Sequence, residues 1–456
     1  MGKYFGTDGF RGEAGVELTA LHAFEIGRFL GRYLIENKST YKEKPRVAIG
    51  KDTRLSSYML EYAIASGLSS SGADVYLAHV ITTPGLIYLT LKELFDLGIM
   101  ITASHNPFSD NGIKIITSNG EKMDDTLTSL IEEYIDSDKT QYFLPSAKGG
   151  DIGIIYSYPF GRDEYTEHLI STVNYSFKGL RIGLDSANGS AYDISKKVFE
   201  SLGAQVYAIG NTPDGTNINR LCGSTHIDNL ASLVKEKELD VGFAFDGDAD
   251  RCIAVDKSGR VIDGDGIIYV LAKRFLRQGL MQNTPAVVTV MSNGGLIKSL
   301  TNLGIKTEIT SVGDRFVLER MQEKGAMLGG EQSGHIIMRN YSGAGDGILT
   351  ALILTTEMIE QNSSLGELTK DLVLYPQESK SVYVKNKSLA MKDDDLRALI
   401  ERVRSELSPD ERLLVRESGT EPKLRIMIEA EQDSVCKSVI NKIISLLEKK
   451  GYIDDK

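Results

Sequence analysis

The stretch Thr102-Ala103-Ser104-His105-Asn106-Pro107 places a serine hydroxyl where an apolar run over residues 97–101 gives way to a turn. In open α/β sheets that point, just past the carboxyl end of a strand, faces the ligand. A second stretch, Asp246-Gly247-Asp248-Ala249-Asp250-Arg251, follows the apolar residues 241–245 and offers three carboxylates at alternate positions beside a cation. On an extended backbone that spacing turns all three to one side. Unpaired they repel, and a hard divalent cation such as Mg²⁺ relieves the repulsion. Serine and carboxylates together indicate phosphoryl chemistry on a metal rather than a solvated acidic turn. A calcium loop of the EF-hand kind fails at Arg251, where glycine is required, and at Lys257, where the bidentate glutamate belongs.

Further stretches carry weaker signals. Residues 6–12 flank Arg11 with glycines, which lets backbone and guanidinium approach an anion together. Glu331-Gln332-Ser333-Gly334-His335 combines polar groups suited to sugar hydroxyls with a titratable imidazole. In Arg416-Glu417-Ser418-Gly419-Thr420-Glu421-Pro422, with Arg425 on the next strand, guanidinium and hydroxyl groups make a phosphate cradle as good a reading as a solvated loop. Each has a plainer alternative, since Ser, Asn and Pro build turns and a lone His is as often structural as catalytic. Ser104 and His105 are adjacent, and neighbouring side chains diverge on an extended chain, so proximity in sequence does not make them a nucleophile and base.

The elements that position these residues alternate. Helical spacing over residues 20–35, buried strands at 47–49 and 75–77, and an extended segment at 112–116 make a first α/β unit, with Lys114 and Ile116 on one face. A Ser/Gly/Pro/Tyr-rich stretch over 137–161 marks a boundary. A second unit has strands at 181–184, 205–209 and 241–245, and a third has strands at 286–291 and 305–309 with helices near 294–303 and 314–323. After Tyr375 the pattern becomes α+β. The expected domains are 1–155, 156–255, 256–374 and 375–456.

At 456 residues the chain exceeds what one core supports. A net charge of −11 disfavours nucleic acid and anionic membrane as partners, so an anionic substrate needs local basic clusters. Three widely spaced cysteines, Cys222, Cys252 and Cys436, give no disulfide framework, and no apolar run reaches the ~18 residues of a membrane span. The expected setting is a reducing cytoplasm.

Taken in order, Phe5 to Gly12, Thr102 to Pro107, Asp246 to Arg251, Gly330 to His335 and Arg416 to Pro422 resemble the five signatures of the α-D-phosphohexomutases, across almost the whole chain. Lys3 to Gly9, Cys222 to His226 and Val312 to Arg315 are similar to the versions found on the branch acting on glucosamine phosphates. His226-Ile227-Asp228 and Ala344-Gly345-Asp346-Gly347 depart from that branch's usual His-Pro-Glu and Thr-Gly-Asp-Gly. The resemblance implies three successive α/β domains with mixed sheets and a smaller C-terminal α+β domain around a central cleft. It implies Ser104 as phosphoserine, Asp246, Asp248 and Asp250 with Ser104 as Mg²⁺ ligands, and Glu331 and Ser333 as sugar readers. Arg416, Ser418, Gly419, Thr420 and Arg425 become the distal phosphate clamp, while Lys114, Arg11, His105, Arg251 and His335 surround the reacting groups, with Lys114 and His335 both open as the base. The implied reaction interconverts glucosamine 6-phosphate and glucosamine 1-phosphate, on the way to UDP-N-acetylglucosamine and cell wall, with glucosamine or glucose 1,6-bisphosphate as intermediate and activator. Sugar phosphates are the expected partners, in a possible homodimer. The rivals are mannose or glucose phosphates as substrates, and a silent sugar-phosphate-binding protein.

Overall fold

The computed structural model describes residues 3–6, 9–37, 44–138, 144–408, 411–418 and 422–454. Short apolar runs become central strands because they can be buried on both faces. The first sheet takes β1 (Phe5–Gly6), β2 (Gly9–Glu13), β3 (Arg46–Lys51), β4 (Asp74–Val80), β5 (Leu97–Ile101), β6 (Asp110–Thr117) and β7 (Ile155–Ser157), in the order β1-β2-β6-β5-β3-β4-β7. Around it lie α1 (Ala20–Asn37), α2 (Leu55–Ser71), α3 (Thr83–Lys92) and α4 (Asp125–Asp136). The strand β7 pairs with β4, so this sheet runs past the boundary expected at 155. β5 lies parallel to β3 and antiparallel to β6, and every residue of it is buried.

After α5 (Phe160–Ser171), the second sheet has β8 (Arg181–Asp185), β9 (Gln205–Ile209), β10 (Val241–Phe245), β11 (Cys252–Asp256) and β12 (Val261–Ile262) in the order β12-β11-β10-β8-β9, with α6 (Ile194–Ser201) and α7 (Asp228–Glu236). The third has β13 (Ala286–Thr289), β14 (Thr307–Thr310), β15 (Leu328–Gly330) and β16 (Ile336–Met338), ordered β14-β13-β15-β16. Its region carries α8 (Gly264–Arg277), α9 (Gly294–Asn302), α10 (Asp314–Lys324), α11 (Gly347–Glu360) and α12 (Leu365–Leu368). Parallel and antiparallel neighbours occur in the first three sheets, as expected of mixed sheets.

The C-terminal sheet is antiparallel, β17 (Gln377–Tyr383), β19 (Lys423–Glu429) and β18 (Arg412–Glu417) in that order, with α13 (Lys387–Met391), α14 (Asp394–Glu406) and α15 (Asp433–Lys449). It belongs to a compact unit of residues 291–307 and 370–456, the rest of the chain to 369 forming the other. Within the smaller unit, Gly294 at the start of α9 donates to Glu429 (2.7 Å), which also pairs with Arg412 (3.2 Å). Among the described residues no helix is long and apolar enough to cross a membrane.

Candidate active site

The buried strand β5 ends in a loop whose first turn is fixed by the Thr102 hydroxyl, which accepts from the Ser104 amide (2.9 Å). Ser104 has φ = 50°, a left-handed conformation that costs a non-glycine residue about 1–2 kcal/mol. The result is a buried hydroxyl donating to Asp246 Oδ2 at 2.6 Å. The same backbone turn brings His105 Nδ1 to 3.3 Å from Ser104 Oγ, which corrects the expectation that the two side chains diverge. Divergence holds for extended backbone, and Ser104 is not extended. Burial, then the charges of Arg251 and Arg11, lower the His105 pKa to about 4, so near neutrality its ring is uncharged. Arg11 sits on β2 opposite Gly112 of β6, two residues before Lys114.

The three aspartates follow β10, whose five residues are all buried. They converge through a turn, with Ala249 at φ = 58° and its amide bonded to the Asp246 carbonyl (3.1 Å), rather than through the extended backbone expected from their spacing. One oxygen from each lies within 4.8 Å of the others. Asp248 Oδ2 accepts from Lys114 Nζ (2.6 Å) and Thr83 Oγ1 (2.5 Å), and Asp250 stands 3.7 Å from Lys114. Burial, then Asp250 and Asp248, push the Asp246 carboxyl well above its usual range. Burial also opposes ionisation of Asp250, but Lys114, His335 and Arg251 outweigh it and hold its pKa well below normal. The second oxygens of Asp248 and Asp250 are buried without a hydrogen-bond partner among the described residues. Hard oxygen donors, crowded negative charge and orphaned acceptors fit a divalent cation of the Mg²⁺ kind.

The hairpin between β15 and β16 brings in His335. Glu331 N donates to the His335 carbonyl (3.0 Å), and Gly334 N donates to the Glu331 carbonyl (3.0 Å). Gly334 has φ = 92°, and a Cβ there would lie 2.3 Å from the Cys252 carbonyl oxygen. Only glycine allows this backbone to meet the start of β11, where Arg251 and His335 form an isolated antiparallel bridge. The imidazole reaches Asp250 through Nδ1 (3.6 Å) and Asp314 through Nε2 (3.9 Å). Burial lowers its pKa, but Asp250, Asp314 and Glu331 more than offset this and raise it to about 9. Glu331 is buried, with Oε1 accepting from Gly313 N (3.0 Å), whereas Ser333 is exposed. Lys114, Asp250, Asp314 and His335 line a cavity of about 230 Å³ together with Ile116 and Ile337.

The larger unit thus gathers Ser104, His105, Lys114, Arg11, the three aspartates, Arg251 and His335. Sequence reasoning assigned no role to Thr83, Asp314 or Gly345. Asp314 and Gly345 lie in the segments 312–315 and 344–347 already noted, while Thr83 carries no local signal. In the smaller unit Arg416 on β18 stands directly opposite Arg425 on β19. Burial, then Arg425, lowers the Arg416 pKa. Facing guanidiniums are unfavourable unless an anion joins them. Ser418 Oγ is buried with no partner among the described residues. Gly419 and Thr420 lie outside the described residues.

Family models match in order along the chain: phosphoglucomutase/phosphomannomutase alpha/beta/alpha domain I at residues 2–142, domain II at 163–259, domain III at 263–375 and the C-terminal domain at 380–445. Phosphoglucosamine mutase of Lachnospira eligens is 50% identical over 452 residues, covering 99% of this chain and 100% of the relative. That of Streptococcus sanguinis is 44% identical over 456 residues, covering 100% of each. Among solved structures, a phosphoglucomutase/phosphomannomutase family protein from Burkholderia thailandensis superposes with a TM-score of 0.79 at 22% identity, covering 98% of each chain. Aspergillus fumigatus N-acetylphosphoglucosamine mutase, in complex with GlcNAc-6P and magnesium, does so at 0.68 and 16%, covering 98% of this chain and 95% of the other. By four matching domains and full-length relatives, the chain belongs to the phosphoglucomutase/phosphomannomutase family, the α-D-phosphohexomutases, on its phosphoglucosamine mutase branch.

Proposed function

We propose that this chain interconverts glucosamine 6-phosphate and glucosamine 1-phosphate by lending a phosphoryl group from Ser104. The observation that carries the reading is the Ser104 hydroxyl, held 2.6 Å from Asp246 inside a cluster of buried carboxylates, where one oxygen each of Asp248 and Asp250 has no hydrogen-bond partner among the described residues. In the phosphorylated enzyme, the sugar's O1 attacks phosphorus, the bond to Ser104 Oγ breaks, and the O1 proton passes to a protein base. Lys114 and His335 both remain open as that base. The resulting 1,6-bisphosphate turns over in the site. Ser104 Oγ then attacks the C6 phosphoryl group, which restores the phosphoserine and leaves glucosamine 1-phosphate.

Asp246, Asp248, Asp250 and Ser104 would hold Mg²⁺, which when bound neutralises charge on the transferring phosphoryl oxygens. Lys114, Arg11 and Arg251 surround the same point with fixed positive charge, so little reorganisation is needed as charge develops. Glu331 and Ser333 are assigned to the sugar hydroxyls, and Arg416, Ser418, Thr420 and Arg425 to the phosphate that does not react. Glucosamine or glucose 1,6-bisphosphate is assigned as the intermediate and activator.

Support comes from the full-length relatives named phosphoglucosamine mutase and from the carboxylate cluster. The test is turnover of glucosamine, mannose and glucose 6-phosphates side by side with the Ser104-phosphorylated protein. A kcat/KM at least tenfold higher for the glucosamine phosphate is expected. A preference for mannose or glucose overturns the substrate assignment, and no turnover of any makes the chain a binding protein.

A further inference from the structure

Ser104 holds an unfavourable backbone conformation, and such a residue persists only where its surroundings over-determine it. We infer that Arg54 and Asn219 are the positioning residues that hold it: they grip the carbonyl groups of the 104–107 loop and so aim the serine hydroxyl at the carboxylates. The inference rests on the phosphoserine reading and extends it to two residues whose side chains bond the loop's backbone rather than the carboxylate cluster.

Arg54, just before α2, is fully buried. Its Nη2 donates to the carbonyls of Ser104 (3.0 Å) and Asn106 (2.9 Å), and its Nη1 donates to the carbonyl of Pro107. Asn219, from the segment between β9 and α7, adds a second donor to two of these, with Nδ2 at 2.8 Å from the Ser104 carbonyl and 3.0 Å from that of Asn106. The rigid guanidinium fork reaches three acceptors that an ammonium on a flexible stem cannot reach together.

The clamp is itself anchored. Arg54 Nε donates to Asp52 Oδ2 (2.8 Å), and its backbone amide to Asp52 Oδ1 (2.9 Å), which also accepts from the Ser57 hydroxyl (2.9 Å). The Asp52 and Arg54 charges balance, so their effect on the serine is geometric rather than a matter of net charge. Asn219 is tied to the second sheet's loop through its amide, which donates to the Ala187 carbonyl (2.8 Å). The Ser104 carbonyl oxygen also abuts Gly247, where a Cβ would lie only 2.5 Å away. Gly247 stands between Asp246 and Asp248, so the carbonyl is lodged between the clamp and the carboxylate turn. Rotating the Ser104 peptide into an ordinary conformation would withdraw that oxygen from both donors.

A reacting atom displaced by about 1 Å can cost 100-fold in rate without altering affinity. Two variants separate positioning from folding. Arg54→Lys keeps the charge and loses the fork. Asn219→Asp keeps shape and tolerates the left-handed backbone (φ = 58°) while removing the donor. Two rates are read on each variant alongside wild type: steady-state turnover of glucosamine 6-phosphate, and phosphorylation of Ser104 by glucose 1,6-bisphosphate followed by intact mass. Both rates are expected to fall about 10- to 100-fold, with KM and the Mg²⁺ half-saturation within about twofold. A folded variant with both rates within threefold of wild type overturns the clamp, as does a loss that falls on KM alone. If Arg54→Lys yields no folded protein, Asn219→Asp decides. Wild-type protein that accepts phosphate at Ser104 but does not turn over glucosamine phosphate overturns the substrate reading instead, and the phosphorylation rates still decide the clamp.

Discussion

Replacing Asp248 by Asn removes one charge from the carboxylate cluster with little change of shape, and the structure sets opposing consequences. Asp248 is fully buried, with Lys114 at 2.6 Å as its ionic partner. Breaking a buried pair costs about 3–5 kcal/mol. Against this, the cluster holds its carboxylate oxygens within 4.8 Å of one another. Two unit charges at about that distance repel by about 3.5 kcal/mol at an effective dielectric constant of about 20. Relief of that repulsion with Asp250 offsets most of the lost attraction, so urea unfolding in EDTA should show a change of less than about 2 kcal/mol. Function should not be spared. With one of three charged oxygen donors gone, the Mg²⁺ concentration for half-maximal turnover should rise at least about tenfold, and turnover at saturating Mg²⁺ should fall about 100-fold. Wild-type half-saturation with turnover within threefold would refute the ligand assignment. A stability loss above about 4 kcal/mol in EDTA would refute the balance of charges.

Gly345→Ala should lower turnover about tenfold or more, because the new Cβ would lie 2.3 Å from His335 Nε2 and displace the ring; kinetics with a melting curve check that the fold survives. Asp346 caps α11, accepts from the buried Tyr165 hydroxyl (2.7 Å), and has a pKa raised by burial to about 6. A carboxyl whose folded pKa exceeds the unfolded value favours the folded state below that window and loses the benefit as pH rises through it. Relative to Asp346→Asn, wild type should therefore lose about 3 kcal/mol in all, at 1.36 kcal/mol per pKa unit, of which about 2 kcal/mol falls between about pH 4 and pH 6, as measured by urea unfolding at both ends. Arg416→Ala should weaken sugar-phosphate affinity about 10- to 100-fold, the worth of a charge-assisted hydrogen bond of about 1.5–3 kcal/mol, while relieving the repulsion with Arg425 and leaving unfolding of the protein unchanged or improved.

The serine and the aspartates were legible because each follows an all-buried strand, and an apolar run ending in polar residues marks a strand end wherever it occurs. How they converge was not legible. Alternation suggested an extended backbone for Asp246 to Asp250, but the turn at Ala249 gathers the carboxylates, and a left-handed alanine leaves no trace in composition. The same blindness separated Ser104 from His105. Arg54 and Asn219 stand 50 and 115 residues from the carbonyl they share, and only the packing of the first two sheets reveals them. The paired arginines of β18 and β19 were read as neighbours, yet their facing register depends on strand pairing.

The central claim is that Ser104 carries the phosphoryl group between the two ends of the sugar. Intact mass and peptide mapping after brief exposure to glucose 1,6-bisphosphate, followed by a chase with glucosamine 6-phosphate, test it most directly. One phosphoryl group is expected on the peptide containing Ser104, lost to the sugar during the chase as the bisphosphate and then restored, and absent from Ser104→Ala, which should not turn over. Phosphate on another residue, or normal turnover by Ser104→Ala, would contradict the account.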